Sequence, residues 1–360
     1  GSGDFTFTRG SNLSATRVNA SQLIEKGREN LLLQSNQFDT TWTNTNTTET
    51  SGQSGYDGTN NAWLLSKSAL GGYIYQNITS SGLVSFSLYL KSGTLDWVNI
   101  TINGASSFSA VYADLANGVT ATTQGGDYVD SSIESVGGGW HRLTLIGKGG
   151  TSRVRIYPAD GDNDVSGTSG NILIQDAQLE QGLVATSVIE TGASTAQAGI
   201  LENTPRFDYS GGATCPSLLL EPSRTNLLPY SEYFGGWTTF RSSVSANEAT
   251  SPEGLINAYK LIQQSGQTTS GGVFKGVTTI DATTYTYTFF AKEAGYGWCY
   301  ARLTGGGNDY YAWFDLSNGV KGNVTNGATS SIEPYGNDWY RCSITFANLG
   351  TSAVPHIYIA

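Results

Sequence analysis

The sequence predicts an all-β chain made of two tandem antiparallel β-sandwich modules, the second lacking its final strand. Three observations carry this reading. The 360 residues contain an internal repeat, apolar residues alternate with period two, and turn residues interrupt the alternation. The spacing of those turns, roughly 8–12 residues, is that of a two-sheet sandwich.

The repeat is direct. RENLLLQSNQF (28–38) matches RTNLLPYSEYF (224–234) at six of eleven positions, with an offset of 196. YADLANGV (112–119) matches WFDLSNGV (313–320) at offset 201, and IESVGGGWHRLTL (133–145) matches IEPYGNDWYRCSI (332–344) at offset 199. Asn61-Ala62-Trp63 echoes Asn257-Ala258-Tyr259, and Trp97 echoes Trp298. An offset that drifts by a few residues means one fold used twice with small loop insertions.

The elements follow in order. Residues 1–27 read as an extended N-terminal segment, because Thr16-Arg17-Val18-Asn19 and Leu23-Ile24-Glu25 are short apolar runs without a period. Residues 28–190 form the first sandwich: Leu83 to Leu90, Val98 to Ile102 and Trp140 to Ile146 alternate like half-buried strands. Turn clusters lie between them, at Asn103-Gly104, Asn117-Gly118 and Gly137-Gly138-Gly139. Residues 191–223 read as an extended connector, and 224–360 as the second sandwich, with Thr284 to Phe289 as its clearest strand. The first copy runs on through Ile172 to Glu180, whereas the second stops at His356-Ile357-Tyr358-Ile359-Ala360, the counterpart of residues near 155–159. The second module therefore lacks its last strand, and either the natural chain continues or a neighbouring subunit fills the gap. Met is absent even at position 1, so the expectation is a fragment, a processed product or a recombinant product.

Composition narrows the function classes. Charged residues make up 13% of the chain, against about 25% in a typical globular protein, so Ser, Thr, Asn and Gln must cover the surface. A net charge of −10 argues against nucleic acid as a partner, since that role needs a basic stripe. No apolar run approaches the ~20 residues of a membrane-spanning helix, so no membrane insertion is expected. The three cysteines are too few for a disulfide framework; Cys299 and Cys342 are read as small buried thiols, with pairing left open.

No catalytic constellation stands out, and the expectation is a protein that is not an enzyme. The two histidines, His141 and His356, occupy non-equivalent places and no G-x-S-x-G occurs. Glu134 with Glu333 and Asp114 with Asp315 recur beside turns, which suits turn anchors better than a glycosidase pair. No cofactor is required by anything in the sequence. Asp160, Asp162 and Asp164 place carboxylates at alternate positions in one loop, a spacing open to calcium or to a solvated acidic turn. Aromatic side chains are the candidate ligand contacts, because sugars present apolar C–H faces to rings. Trp140, Trp339, Trp97 and Trp298 recur in both copies and are assigned to the framework. Tyr73 and Tyr75 in the first copy, and Tyr296, Tyr300, Tyr310 and Tyr311 in the second, occur once each and are assigned to glycan or subunit contact. Tyr310-Tyr311 is placed just before a strand, on a loop.

The run PRFDYSGGATCPSLLLEPSRTNLLPYSEYF (205–234) resembles a signature of bacteriophage virion proteins, above all tail and fibre components. ATRVNASQLIE (15–25) and GTSGNILIQDAQLEQGLVATSVIET (167–191) resemble flanking parts of that signature, the latter closing a carbohydrate-binding-like jelly roll. At Gln175-Asp176 the chain departs from the Trp-Gly usual there. The resemblance covers nearly the whole chain. It implies a tail fibre, tail spike or head fibre of an extracellular virion, made of lectin-like modules in a homo-oligomer, a trimer by preference. Its implied partners are other virion proteins and host-surface glycan. Two alternatives stay open: a secreted bacterial carbohydrate-binding module pair from a polysaccharide-degrading enzyme, and a purely structural decoration or stalk protein.

Overall fold

A computed structural model describes residues 16–104, 106–201, 204–221, 224–348 and 350–360, without the side chains of residues 151 and 152. The first part of the extended N-terminal segment, 1–15, lies outside the described residues, as do 202–203 and 222–223 of the connector. The chain divides into two compact units, one of residues 27–201 and one that joins 1–26 to 202–360. They are called the first and second modules below.

The first module contains β1 (Thr43–Thr45), β2 (Thr47–Gln53), β3 (Ala62–Lys67), β4 (Tyr73–Thr79), β5 (Leu83–Ser92), β6 (Trp97–Asn103), β7 (Phe108–Asp114), β8 (Val119–Gln124), β9 (Tyr128–Gly137), β10 (Trp140–Lys148), β11 (Thr151–Ala159) and β12 (Asn171–Gln181). They form two six-stranded sheets, β8-β7-β6-β11-β4-β1 and β9-β10-β5-β12-β3-β2. All the pairings are antiparallel. Alternation sends Val98, Ile100 and Ile102 of one sheet, and Phe86, Leu88 and Leu90 of the other, into one core where each is fully buried.

The second module repeats this path with β13 (Thr238–Phe240), β14 (Ser242–Thr250), β15 (Ile256–Gln263), β16 (Gly272–Phe274), β17 (Thr283–Ala291), β18 (Trp298–Gly305), β19 (Asn308–Asp315), β20 (Val320–Val324), β21 (Thr329–Tyr335), β22 (Trp339–Asn348) and β23 (Ser352–Ile359). Its first sheet runs β20-β19-β18-β23-β16-β13, the same order as in the first module, with Val277–Thr278 also paired to β23. Its second sheet is broken. β21-β22-β17 form one piece and β14-β15 another, where the first module has β12 between β5 and β3. The all-β class and the tandem sandwiches are thus as expected, and the second copy is short of the same strand that the repeat leaves out.

Equivalent residues confirm the duplication in detail. Asp114 Oδ1 accepts the backbone N–H groups of Ala116 and Asn117, and Asp315 Oδ1 those of Ser317 and Asn318. Each loop ends in a glycine with left-handed backbone, Gly118 at φ +66° and Gly319 at +65°. These carboxylates anchor turns. Glu134 stands directly across from Arg142, and Glu333 from Arg341, so that pair too is cross-strand. Cys299 and Cys342 are free, buried thiols; a shared hydrogen bond and burial hold the Cys342 thiol protonated.

One equivalence predicts a stability change. Phe86 opposes Leu145, and Tyr287 opposes Ile344 at the matching place in the second module. The Tyr287 hydroxyl is buried with no hydrogen-bond partner among the described residues. Replacing it by the ring the first module uses, Tyr287→Phe, removes an unpaired polar group and is expected to stabilise the second module by about 1 kcal/mol. Chemical denaturation of both proteins tests this; an unchanged or lower midpoint would refute it.

Candidate functional site

The chemistry-bearing residues gather on the outer face of one sheet in each module. In β18, Cys299, Ala301 and Leu303 point into the core, so Trp298, Tyr300 and Arg302 point away from it. Register continues that outer face across the sheet. Tyr300 pairs with Trp313 on β19 and with Tyr358 on β23, while Arg302 pairs with Tyr311 and His356. The result is a row of rings. Tyr300 stacks on Tyr358 at 4.8 Å between centroids and on Trp313 at 5.3 Å, and Tyr311 stacks on Trp313 at 5.5 Å. Arg302 bonds Asp309 at 2.9 Å and lies over the Tyr311 ring.

Because stacked rings cover one another's faces, this row presents mainly ring edges and hydroxyls. Trp298, beside it on the same face, is 39% exposed and offers open ring surface. Gly322 makes room there, since a Cβ at that position would come within 2.8 Å of the Trp298 ring. An apolar ridge bordered by Arg302, Asp309 and tyrosine hydroxyls can pack a sugar's C–H face and take its hydroxyls as hydrogen-bond partners.

The first module carries a related face on the equivalent sheet. Tyr73 and Tyr75 of β4 lie beside Tyr157 of β11, with Tyr73 and Tyr157 centroids 4.7 Å apart. Arg153 lies over Tyr75 and Arg155 over Tyr73. Tyr157 pairs with Asn99, which pairs with Tyr112, so the row alternates rings with an amide. Burial pushes the Tyr157 and Tyr112 hydroxyls above the usual phenol range, and they remain neutral donors.

Tyr73, Tyr75, Tyr300 and Tyr311 are thus brought onto sheet faces, half-buried. Tyr296 sits on an exposed loop between β17 and β18. Tyr310 is a correction. It lies inside β19, packs on Phe346 in the core and donates its hydroxyl to the Ala347 carbonyl at 2.7 Å. Period two within a strand puts Tyr310 and Tyr311 on opposite faces, so only one of the pair can meet a ligand. Trp298 is a second correction, being outward rather than framework. Its alternation with Cys299, Ala301 and Leu303 was the signal, and the same signal marks Trp313 and Tyr358.

The acidic loop does not converge. Asp160 is held by Lys67 and accepts the Gly167 N–H at 2.8 Å. Asp162 accepts from Thr122, through its N–H at 3.0 Å and its hydroxyl at 2.9 Å. Asp164 accepts from Ser166, which holds its carboxyl below the usual range. Each carboxylate has a separate partner, and among the described residues no group of three His, Cys, Asp or Glu side chains could hold a metal ion. Of the two readings of this loop, the geometry of Asp160, Asp162 and Asp164 fits the acidic turn, its carboxylates held apart by Lys67, Thr122 and Ser166. His141 and His356 are both buried.

No protein-family model matches the chain, and no curated protein matches it. Among solved structures it is similar to the tailspike protein 4 enzymatically active domain of Bacteriophage CBA120, with a TM-score of 0.27 and 19% identity over 43% of this chain and 21% of that one. It is also similar to the N-terminal CBM22-1-CBM22-2 tandem domain of Paenibacillus barcinonensis Xyn10C, with a TM-score of 0.24 and 12% identity over 91% of this chain and 88% of that one. The chain thus spans 21% of the length of the tailspike domain. Scores this low say nothing about function.

Proposed function

We propose that this chain is a non-enzymatic appendage protein of a bacteriophage virion, a tail fibre, tail spike or head fibre, whose sandwich modules contact host-surface glycan. The observation that carries the reading is the pair of aromatic faces, on the outer side of the same sheet in both modules. The virion-like signature over 205–234 and the weakly charged polar surface support it. The protein acts as a homotrimer, which presents several such faces at once and turns weak single contacts into avid ones.

The test is binding of the full chain to purified bacterial surface polysaccharides on an array, followed by calorimetry on those retained. Trp298→Ala combined with Tyr300→Ala is expected to weaken binding at least tenfold, and Tyr73→Ala with Tyr75→Ala to weaken it further. Failure of every polysaccharide to bind would overturn the glycan role and leave a structural stalk. Light scattering of the same samples checks the trimer.

A further inference from the structure

The first-module face differs from the second in where its charge lies. Val154 and Ile156 of β11 are buried in the core, so Arg153, Arg155 and Tyr157 point outward, beside Tyr73 and Tyr75 of β4. Arg155 stands opposite Tyr75, and Arg153 opposite Asn77. Each guanidinium leans diagonally over a ring, Arg153 at 4.7 Å from the Tyr75 centroid and Arg155 at 5.6 Å from that of Tyr73. Stacking on a ring face fixes a guanidinium plane and leaves its N–H edge free to bond. Successive outward positions of a strand are about 7 Å apart, so two such edges lie side by side.

The protein answers neither charge. The chain carries 29 acidic residues against 19 basic ones, yet among the described residues neither Arg153 nor Arg155 makes an ion pair. Their outward neighbours across the sheet are neutral: Thr43 on β1, and Asn99 and Thr101 on β6. Asp162 and Asp164 act on Tyr112 of β7, but Thr122 and Ser166 hold them. The Arg155 Nε is buried with no acceptor among the described residues. The second module shows the contrast at equivalent places. Arg302, which stands where Thr101 does, is matched by Asp309 at 2.9 Å. On β23, His356 takes the place of Arg155 and Val354 that of Arg153, and burial keeps His356 neutral at pH 7.

We propose that the first-module face selects an acidic saccharide, whose carboxylate or phosphate is held by Arg153 and Arg155 while its ring packs beside Tyr73 and Tyr75. This rests on the glycan-contact reading above and names the class of sugar. A planar guanidinium presents parallel N–H donors that match two oxygens of either group. Two arginines already oriented on tyrosine rings lose little further freedom on binding. A charge-assisted bond gains most where the cation has no internal partner to give up, which favours Arg153 and Arg155 over Arg302.

The experiment measures retardation of the full chain in native gels that contain polygalacturonate, for the carboxylate, or phosphomannan, for the phosphate. Methyl-esterified polygalacturonate and unphosphorylated mannan are the neutral references. At least one acidic polymer should bind tenfold or more tightly than its neutral reference, and which one does so separates carboxylate from phosphate. Arg153→Gln combined with Arg155→Gln should abolish that preference. The comparison with neutral polymers needs no substitution, so it holds even if the variant packs poorly. Equal binding of acidic and neutral polymers, or a preference that the double substitution leaves intact, would overturn the proposal while the glycan role stands. Retention by no acidic polymer would overturn it as well; binding of neutral polysaccharides on the array then decides whether the glycan role falls with it.

Discussion

Acidification from pH 6.5 to pH 4 is expected to weaken the second module while strengthening the first. His356 is buried among the rings on the outer face of the sheet that contains β18 and β23 in the second module. Desolvation, with Arg302 alongside and only partly offset by Asp309, pushes its imidazole down to about 4 from an ordinary 6.5. Between those values the unfolded chain binds a proton that the folded one refuses, so stability is complete above pH 6.5 and is lost as pH falls toward 4. Asp176, in the first module, behaves oppositely. Burial, reinforced by Glu190 and Asp57 and opposed by the Tyr56 hydroxyl and Arg142, raises its carboxyl to about 6 from 3.8. Here the folded state holds the extra proton, so stability is present below pH 3.8 and is lost as pH rises through 6. A tenfold difference in proton affinity between folded and unfolded chain corresponds to about 1.4 kcal/mol, so each module should move by roughly 2–3 kcal/mol, in opposite directions. Calorimetry at pH 4.5 and 7 should show two transitions that approach or separate as pH changes. Asp176→Asn should raise the first-module transition at pH 7 and abolish its pH response. Parallel movement of both transitions would contradict the assignment.

Asp176 also shows why part of the site was legible in the sequence and part was not. Its backbone is left-handed, φ +49°, within an irregularity of the β12–β5 pairing between Gln175 and Gln178. Where the resembling signature has glycine, this conformation is free of strain; Asp is among the few other residues that tolerate it. The departure at Gln175-Asp176 was visible in the string, but its effect on a carboxyl pKa depends on Tyr56, 120 residues away, whose hydroxyl donates to Asp176 at 2.8 Å. Strand order and the missing strand were readable because a duplication is its own alignment. Repetition misled at Trp298, where recurrence of Trp97 suggested a framework role although period two sends the side chain outward. Spacing alone leaves calcium and an acidic turn both open at Asp160, Asp162 and Asp164, because positions along a loop cannot reveal that Lys67, Thr122 and Ser166 each hold a separate carboxylate.

Truncating one core side chain in each module should reveal the open groove as an energetic asymmetry. Leu88 and Phe289 hold the same place, Leu88 opposite Leu143 and Phe289 opposite Cys342. Leu88 is fully buried between complete sheets, so Leu88→Ala leaves a dry cavity and is expected to cost about 3–5 kcal/mol. Phe289 loses more atoms on truncation and would cost as much or more in a closed core. It lines, however, a groove of about 1910 Å³ within the second module, where water can take up the vacated space. Phe289→Ala is therefore expected to cost only about 1–2 kcal/mol, well below the usual range for a buried ring. Urea denaturation of the two variants, with each module followed through hydrogen exchange, compares the costs directly. Equal losses would mean that the second core is closed in solution.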